Sequence, residues 1–595
     1  MSFSPPTPPL PTAWEECLQR GWTHLDILLV TGDCYVDHPS FGVALIGRLL
    51  ESHGYNVAIL SQPRFDTTFD FQAFPSPRLF CGITAGNLDS IVANYSSNGK
   101  VRDTDAFCPD GNPWRGKIRS RTERRRPDRA SIVYTSLARS AYPNVPIVLG
   151  GIEASLRRFV HYDYQQEKLR CSILTDAKAD LLVYGMGEKA VVEVAERCAR
   201  NQPLSAIPGT CQRLTDRELQ NFFPELAIQD SQKLLVLSSW DEINEKSRLF
   251  LDAELALDQH ARGRSPRIVL QRQQTHWVLQ QPAPKPLNSE ELDALYSLPY
   301  TRRPHPADGQ IPAYRMIRDS VTIVRGCSGN CSFCAITRHQ GPSIVSRSRE
   351  SIHSECEQIA QAHDFGGTIT DLGGPTANLY GTSCAIGSCK KHDCLYPKIC
   401  PNLRIDEKVF IDLLDEISLI KGVRHLFVSS GLRMEILLQT PHLLKKILRS
   451  HTPGSLKIAP EHTDDELLCL MHKEPHDLLR RFIKKCREIG GKLGKKIELT
   501  PYAILSHPGS TPKHAEKLTR DMQNLGLQVR KFQDFTPTPG TLSTAMFVTG
   551  LRPDNKKPLV VAKKQSERRK ERQVMEENFH RQNAGNKDFK QRKKR

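Results

Sequence analysis

The run Arg325-Gly326-Cys327-Ser328-Gly329-Asn330-Cys331-Ser332-Phe333-Cys334 sets three thiols in a Cys-x3-Cys-x2-Cys spacing on a glycine-bearing segment. A loop bends enough to aim three such sulfurs at one soft metal centre. Structural zinc takes four ligands, and no fourth Cys or His follows at the usual spacing; the next are His339 and Cys356. Three sulfurs suit a four-iron cluster with one iron left open, against the plainer readings of buried thiols or zinc ligands. A second group, Cys384, Cys389, Cys394 and Cys400 followed by Pro401, offers four more thiolates. Four can close a tetrahedral zinc, hold a complete second iron–sulfur cluster, or bind no metal, and their spacing matches no standard zinc ribbon.

Apolar strand-like runs at 321–325, 368–371, 425–429, 456–459, 497–503 and 528–534 alternate with helical patterns at 348–363, 406–420, 435–449, 464–489 and 513–525. Six such β/α units predict a partial (β/α)6 barrel rather than the closed eight-unit form. In parallel β/α folds the chemistry sits on the loops after the strands. Both cysteine groups fall on such loops, after the first and second strands. Upstream, strand-like runs at 25–31, 57–60, 81–84, 131–135, 146–149 and 180–184, with helical patterns between them, predict an α/β doubly wound parallel-sheet domain over 20–205. A proline-rich segment, 1–19, precedes it. A less regular connecting α/β region covers 206–310, the barrel 311–555, and a basic, largely disordered tail 556–595.

The 595 residues carry a formal net charge of +17. Residues 556–595 hold +10 of it and 115–126 (RGKIRSRTERRR) hold +6, which leaves +1 for the rest. A near-neutral body with two basic segments is not a uniformly nucleic-acid-coating surface. The tail remains a candidate for binding nucleic acid, and 115–126, running into a strand-like segment, reads as folded and substrate-facing. No window approaches the ~18 apolar residues of a membrane span. The start, MSFSPPTPPLPTAWEE, lacks a signal peptide's basic and apolar stretches. Seventeen cysteines without an export signal predict a reducing compartment, the cytoplasm.

Cys-x3-Cys-x2-Cys with an aromatic before the third cysteine resembles the signature of radical SAM enzymes, and SVTIVRGCSGNCSFCAITRHQGPSIVSRSRESI is similar to the YgiQ-type branch of that superfamily. DHPSFG (37–42), RPDRASIVY (126–134), GGIEASLRR (150–158), LPYTRRPHP (298–306), SSGLR (429–433), KIAPEH (457–462) and FQDFTPTPGTLSTAMF (532–547) extend the likeness over residues 20–560. The resemblance implies that Cys327, Cys331 and Cys334 each bind one iron of a 4Fe-4S cluster, whose fourth iron takes S-adenosylmethionine (SAM). It implies cleavage of the sulfonium by one electron to a 5′-deoxyadenosyl radical, which abstracts hydrogen from an unidentified substrate. A one-electron donor such as flavodoxin or ferredoxin is implied as partner. Phe333 would shield the cluster or pack near adenine. Gly373 and Gly374 stand where many such enzymes carry Gly-Gly-Glu, with Pro375 replacing the acid. Ser430, Arg433, Glu461 and His462 follow later strands and are candidates for SAM or substrate, against capping and ion pairing. Gly150-Gly151 and Gly185-Met186-Gly187 echo cobalamin-binding domains. However, Asp37-His38-Pro39-Ser40-Phe41-Gly42 departs from the Asp-x-His-x-x-Gly that supplies a cobalt ligand, so cobalamin is not expected. RNA modification is the alternative within enzymes; a non-catalytic, metal-stabilised nucleic-acid-binding protein is the alternative outside them.

Overall fold

The computed structural model describes residues 7–223, 233–263, 267–387, 394–529 and 531–577. The chain divides into two units, Met1–Arg318 with Arg338–Gly341, and Asp319–Thr337 with Pro342–Arg595.

The first unit is built on one nine-stranded sheet. Its strands are β1 (Ile27–Thr31), β2 (Val57–Ser61), β3 (Phe80–Thr84), β4 (Ile147–Leu149), β5 (Leu181–Val183), β6 (Thr210–Leu214), β7 (Leu234–Leu237), β8 (Ile268–Gln273) and β9 (His276–Gln280), in the order β7-β8-β9-β6-β5-β4-β3-β1-β2. The five strands β2-β1-β3-β4-β5 are mutually parallel, with Ile27 opposite Val57 on one side and Phe80 on the other. Such strands are covered on both faces and so read as continuous apolar runs; every residue of β1 is buried. Helices α1 (Gly42–Ser52), α2 (Ala130–Ala141) and α3 (Glu188–Ala199) are among those that supply the cover, through clusters of buried Leu, Ile, Val, Ala and Tyr.

Two sequence expectations change here. The run 131–135 is not a strand but part of α2, whose buried residues Ala130, Ser131, Tyr134, Thr135 and Ala138 follow a helical period that its β-branched residues disguise. The region 206–310 is not a separate connection, because β6 to β9 extend the same sheet, β6 joining β5 antiparallel. The proline-rich start packs as well, with Leu10 and Cys17 fully buried.

Two of the quoted motifs explain each other. Arg303 and Pro304 of LPYTRRPHP pair with Asp37 and Val36 of DHPSFG, and the Asp37 carboxylate accepts from Thr301 N at 2.9 Å and from Arg48 Nε at 3.1 Å. Asp37 is therefore a structural anchor.

In the second unit, β10 (Ser320–Thr322) pairs parallel with β12 (Asp371–Gly373), and β11 (Thr368–Ile369) pairs with β13 (His425–Leu426). Strands β14 (Ser455–Glu461), β15 (Glu498–Leu505) and β16 (Lys531–Asp534) form a parallel three-stranded sheet. Helices α4 (Arg349–Gln361), α5 (Glu407–Ser418), α6 (Pro441–Ser450), α7 (His476–Leu493) and α8 (Pro512–Asn524) alternate with them and pack on one core of buried Leu, Ile and Phe. Prolines divide two of the expected helices: 435–449 breaks at Thr440, before Pro441, and 464–489 breaks before His476, with Pro475 as the cap of the second part. The basic tail is shorter than expected. Residues 565–577 are helical, with Glu571 and Met575 buried, and Met575 belongs to the barrel core; residues 578–595 lie outside those described.

Candidate active site

The cysteine loop begins directly after residues 324–325, and two left-handed residues, Gly326 (φ 79°) and Asn330 (φ 48°), bend it. Its backbone is pinned at Ser332. Ser332 N donates to Met471 O at 3.0 Å, Ser332 Oγ to Leu470 O at 2.7 Å, and Ser543 N donates to Ser332 O at 3.0 Å. Ser543 Oγ lies 2.8 Å from Ser332 Oγ and 2.7 Å from His507 Nε2. The three side chains are buried, and burial lowers His507 to about 4, so it is neutral near pH 7. The FTPTPGTLSTAMF motif thus clasps the cysteine loop from helix α9 (Leu542–Thr549).

The three thiols are close enough to act on one another. Burial raises Cys334 to about 12, with Cys331 and Cys327 adding to the effect, while Arg433 and Lys473 oppose burial at Cys331. Arg433 Nη1 lies 3.4 Å from Cys331 Sγ and rests against Gly329, where a Cβ would come within 2.8 Å of that same nitrogen. Arg433 is held in turn by Glu435 (Nε to Oε1, 2.6 Å) and Glu474 (Nη2 to Oε1, 3.3 Å), while Asn378 exchanges two 2.9 Å hydrogen bonds with its backbone. Lys473 Nζ lies 3.3 Å from Glu474 Oε2. Burial disfavours the Glu474 carboxylate, but Lys473 and Arg433 overcome it and hold it at about 2; burial, with Glu474 adding, pushes Glu435 up to about 7. These buried cations compensate thiolate charge, and the donor set of three soft sulfurs fits an iron–sulfur cluster.

Glu461 completes the group. It ends β14 at a register irregularity with φ 62°, a left-handed conformation that costs a non-glycine residue of order 1–3 kcal/mol and clusters at functional sites. Burial raises its carboxyl, and Lys473, Glu474 and Arg433 all act on it.

The other expected residues are placed differently. Ser430 Oγ donates to Asp371 Oδ2, and Asp371 Oδ1 accepts from the Ser429 and Ser430 amides at 2.7 and 3.0 Å. Gly373 and Gly374 close against this group: a Cβ would lie 2.0 Å from Ser430 Oγ at the first and 2.4 Å from Val324 O at the second. His462 is buried away from the thiols, with Nδ1 accepting from Asp464 N at 2.9 Å, its ring edge-on to His514, and Nε2 without a partner. Phe333 is half-buried between Ser332 and Cys334.

Cys384 lies on a short hairpin opposite Leu403, and Cys400 N donates to Cys394 O at 2.8 Å. Cys394 and Cys327 pack against one apolar cluster of Leu379, Leu395 and Ile436. Cys389 lies outside the described residues. Among the described residues, no three His, Cys, Asp or Glu side chains are grouped to hold a single metal ion.

Lys473, Glu474, Glu435, Asp371 and Ser543 were not singled out by sequence. Lys473 and Glu474 fall inside 464–489, which reads as one helix; the one available signal was two adjacent charges directly before a helix-initiating proline.

A parallel β/α unit whose first strand leads into a Cys-x3-Cys-x2-Cys loop, with the buried cations Arg433 and Lys473 acting on Cys331, is the arrangement of a radical SAM enzyme. Comparison with known families agrees. Residues 9–320 match the radical SAM N-terminal model and 321–522 the radical SAM superfamily model. A UPF0313 protein of Thermotoga neapolitana is 46% identical, covering 91% of this chain and 94% of the relative. One from Geobacter sulfurreducens is 41% identical over 95% and 92%. The chain belongs to the UPF0313 family of the radical SAM superfamily; it is an enzyme that binds a 4Fe-4S cluster and SAM. Among solved structures, the radical S-adenosylmethionine methyltransferase TsrM from Kitasatospora setae, solved with cobalamin and a [4Fe-4S] cluster bound, covers 87% of this chain and 74% of its own at 17% identity and TM-score 0.49. OxsB, solved with aqua-cobalamin, covers 90% and 56% at 11% identity and TM-score 0.45. No finding on this chain supports the expectation that it binds no cobalamin. No helix among the described residues is long and apolar enough to cross a membrane.

Proposed function

We propose that Cys327, Cys331 and Cys334 each ligate one iron of the cluster, and that Arg433, Lys473 and Glu461 hold SAM against the open iron. When bound, the cluster supplies one electron to the sulfonium and so a 5′-deoxyadenosyl radical for hydrogen abstraction. The chain's own residues supply aim and charge. Ser332, Ser543 and His507 fix the loop; Arg433 donates toward Cys331; Lys473 and Arg433 present cationic donors for a carboxylate. Glu461 supplies the acid that Pro375 removes from the usual Gly-Gly-Glu position, a substitute for an ammonium contact. Gly373, Gly374 and Ser430 shape the floor through Asp371.

The observation that carries this reading is the 3.4 Å contact of Arg433 with Cys331 inside a buried charge network. Cys384, Cys389, Cys394 and Cys400 are proposed as a second metal site; of these, Cys394 packs with Cys327 against one apolar cluster. The electron donor is proposed to be flavodoxin or ferredoxin and the compartment the cytoplasm; no disulfide joins the described cysteines. Neither the RNA-modifying nor the non-catalytic reading draws on any specific observation here. The test is reductive cleavage of SAM by anaerobically reconstituted protein under dithionite. Wild type is expected to release 5′-deoxyadenosine and C331A none; equal release by both rejects the ligand assignment.

A further inference from the structure

The arginine run 115–126 has no part in the chemistry above, and its side chains divide sharply. Lys117, Arg119 and Arg121 are exposed. Arg124 stacks on the rings of Tyr95 and Trp114, each 5.2 Å away, and pairs with Asp128 at 3.0 Å. Arg126, fully buried, is neutralised by Asp33 and Asp105.

Arg115 and Arg125 are left over. Arg115 gives one Nη2 hydrogen bond to the Gln62 carbonyl, and its Nε is buried with no acceptor. Arg125 donates only its backbone N–H, to Pro113 O at 2.9 Å; its Nε is likewise buried, and its side chain has no hydrogen bond or ion pair among the described residues. Tyr134, fully buried beside Arg126 and Arg115, has a hydroxyl with no partner. The acids that act on them do so at a distance: Asp308, which accepts from Tyr35 N at 2.9 Å, feels Arg125, and Asp70, which accepts from Arg64 N at 2.6 Å, feels Arg115, yet neither forms an ion pair with them. Burial and the adjacent Arg125 guanidinium push Arg115 below the ordinary arginine value, against the opposing effect of Tyr134 and Asp70.

Their place in the fold matters as much. Gln62 follows β2, Gly32 and Asp33 follow β1, and Gly86 follows β3; Gln62 Nε2 donates to Gly32 O at 2.9 Å. The two glycines let the loops after β1 and β3 meet, since a Cβ at Gly32 would lie 2.4 Å from Ala85 O and 3.0 Å from Arg126 Nε. In the strand order 2-1-3-4-5 this is the topological switch point, outside the carboxyl ends of the strands, where open parallel sheets bind ligands. Buried donors in folded proteins nearly always find acceptors, so a cluster of donors without acceptors marks a missing anion. Two guanidiniums without an ion pair match the double charge of a phosphate monoester better than the single charge of a carboxylate.

We infer that Arg115, Arg125 and the Tyr134 hydroxyl form a binding site for the phosphoryl group of a small molecule, at the switch point of the first sheet. The site is independent of the cluster and is tested on the full-length protein as purified. Calorimetric titration with inorganic phosphate and with 5′-AMP, in buffer free of other oxyanions, is expected to show saturable one-to-one binding. Loss of a charged donor predicts weakening of about tenfold or more in R115Q and R125Q, and loss of a neutral one a few-fold, about three, in Y134F. R121Q, on the exposed part of the same run, is expected to bind as wild type does. Phosphate is also expected to raise the Tm of wild type and not that of R125Q, a variant that removes a half-buried charge without an ion pair and so keeps its fold. Tighter binding of 5′-AMP assigns the site to a phosphate ester, and tighter binding of the free ion to inorganic phosphate. No saturable binding of either probe by wild type, or equal weakening by R121Q and R125Q, overturns the inference.

Discussion

Arg433 reaches the thiols only because two carboxylates hold it there. Its Nε is bound by Glu435, its Nη2 faces Glu474, and the remaining nitrogen points at Cys331. A donor to a ligating sulfur stabilises the more negative, reduced state of a cluster and so raises its potential. R433Q is expected to shift the midpoint potential in the negative direction and to lower SAM cleavage about 10–100-fold, with R433K recovering part of both; potentiometric EPR titration reads the first, and an unmoved potential would show the contact to be structural only. Arg433 was legible in the sequence because it follows a strand in SSGLR. Its partners were not, because hydropathy reads Lys473, Glu474 and Glu435 as solvated, and only their mutual pairing makes burial tolerable. The acid missing at Pro375 was legible as an absence, and Glu461, on another strand, is proposed in its place.

At the scale of elements, the cysteine loop depends on its clasp. Ser543→Ala leaves Ser332 Oγ and His507 Nε2 short of a buried partner, an expected cost of about 1–3 kcal/mol. Chemical denaturation of the apo protein measures it, and lower iron retention should accompany it. His507 adds a pH signature. Its folded pKa, about 4, lies below the unfolded value near 6.5, so the unfolded chain takes the proton first as pH falls. Its contribution is intact above pH 6.5 and is lost between there and about pH 4. Wild type is therefore expected to lose stability relative to H507N by about 1.4 kcal/mol per pH unit across that window; a pH-independent difference would contradict the assignment of a neutral buried ring. The barrel's beat of strands and helices was readable because each element carries its own period. The α2 segment was misread because Ser131, Ile132 and Val133 imitate a strand locally, and only Tyr134, Thr135 and Ala138 reveal the helix.

Across the whole molecule, composition placed the charge correctly but not its use. The body is near neutral, yet the +6 segment is partly buried, with Arg126 at 1% exposure. The tail is partly core. Glu571 accepts from Ser506 N at 2.9 Å and Ser510 Oγ at 2.8 Å, Arg572 pairs with Asp534 at 2.9 Å, and Met575 is buried. A chain ending at 555 is expected to lose about 3 kcal/mol or more and much of its soluble yield, whereas one ending at 577 should keep both its Tm and SAM cleavage. Thermal unfolding of the two distinguishes them, and equal behaviour would refute a structural role for 556–577. Sequence could not show this, because a strongly basic stretch with a single buried methionine has no readable period.

The central claim is a cluster with one iron open to SAM, and EPR of the dithionite-reduced, anaerobically reconstituted protein tests it most directly. The account predicts about four irons bound through Cys327, Cys331 and Cys334 and a reduced-cluster signal whose g values shift on addition of SAM. Stoichiometric zinc in place of iron, or a cluster signal that SAM leaves unchanged, would contradict it.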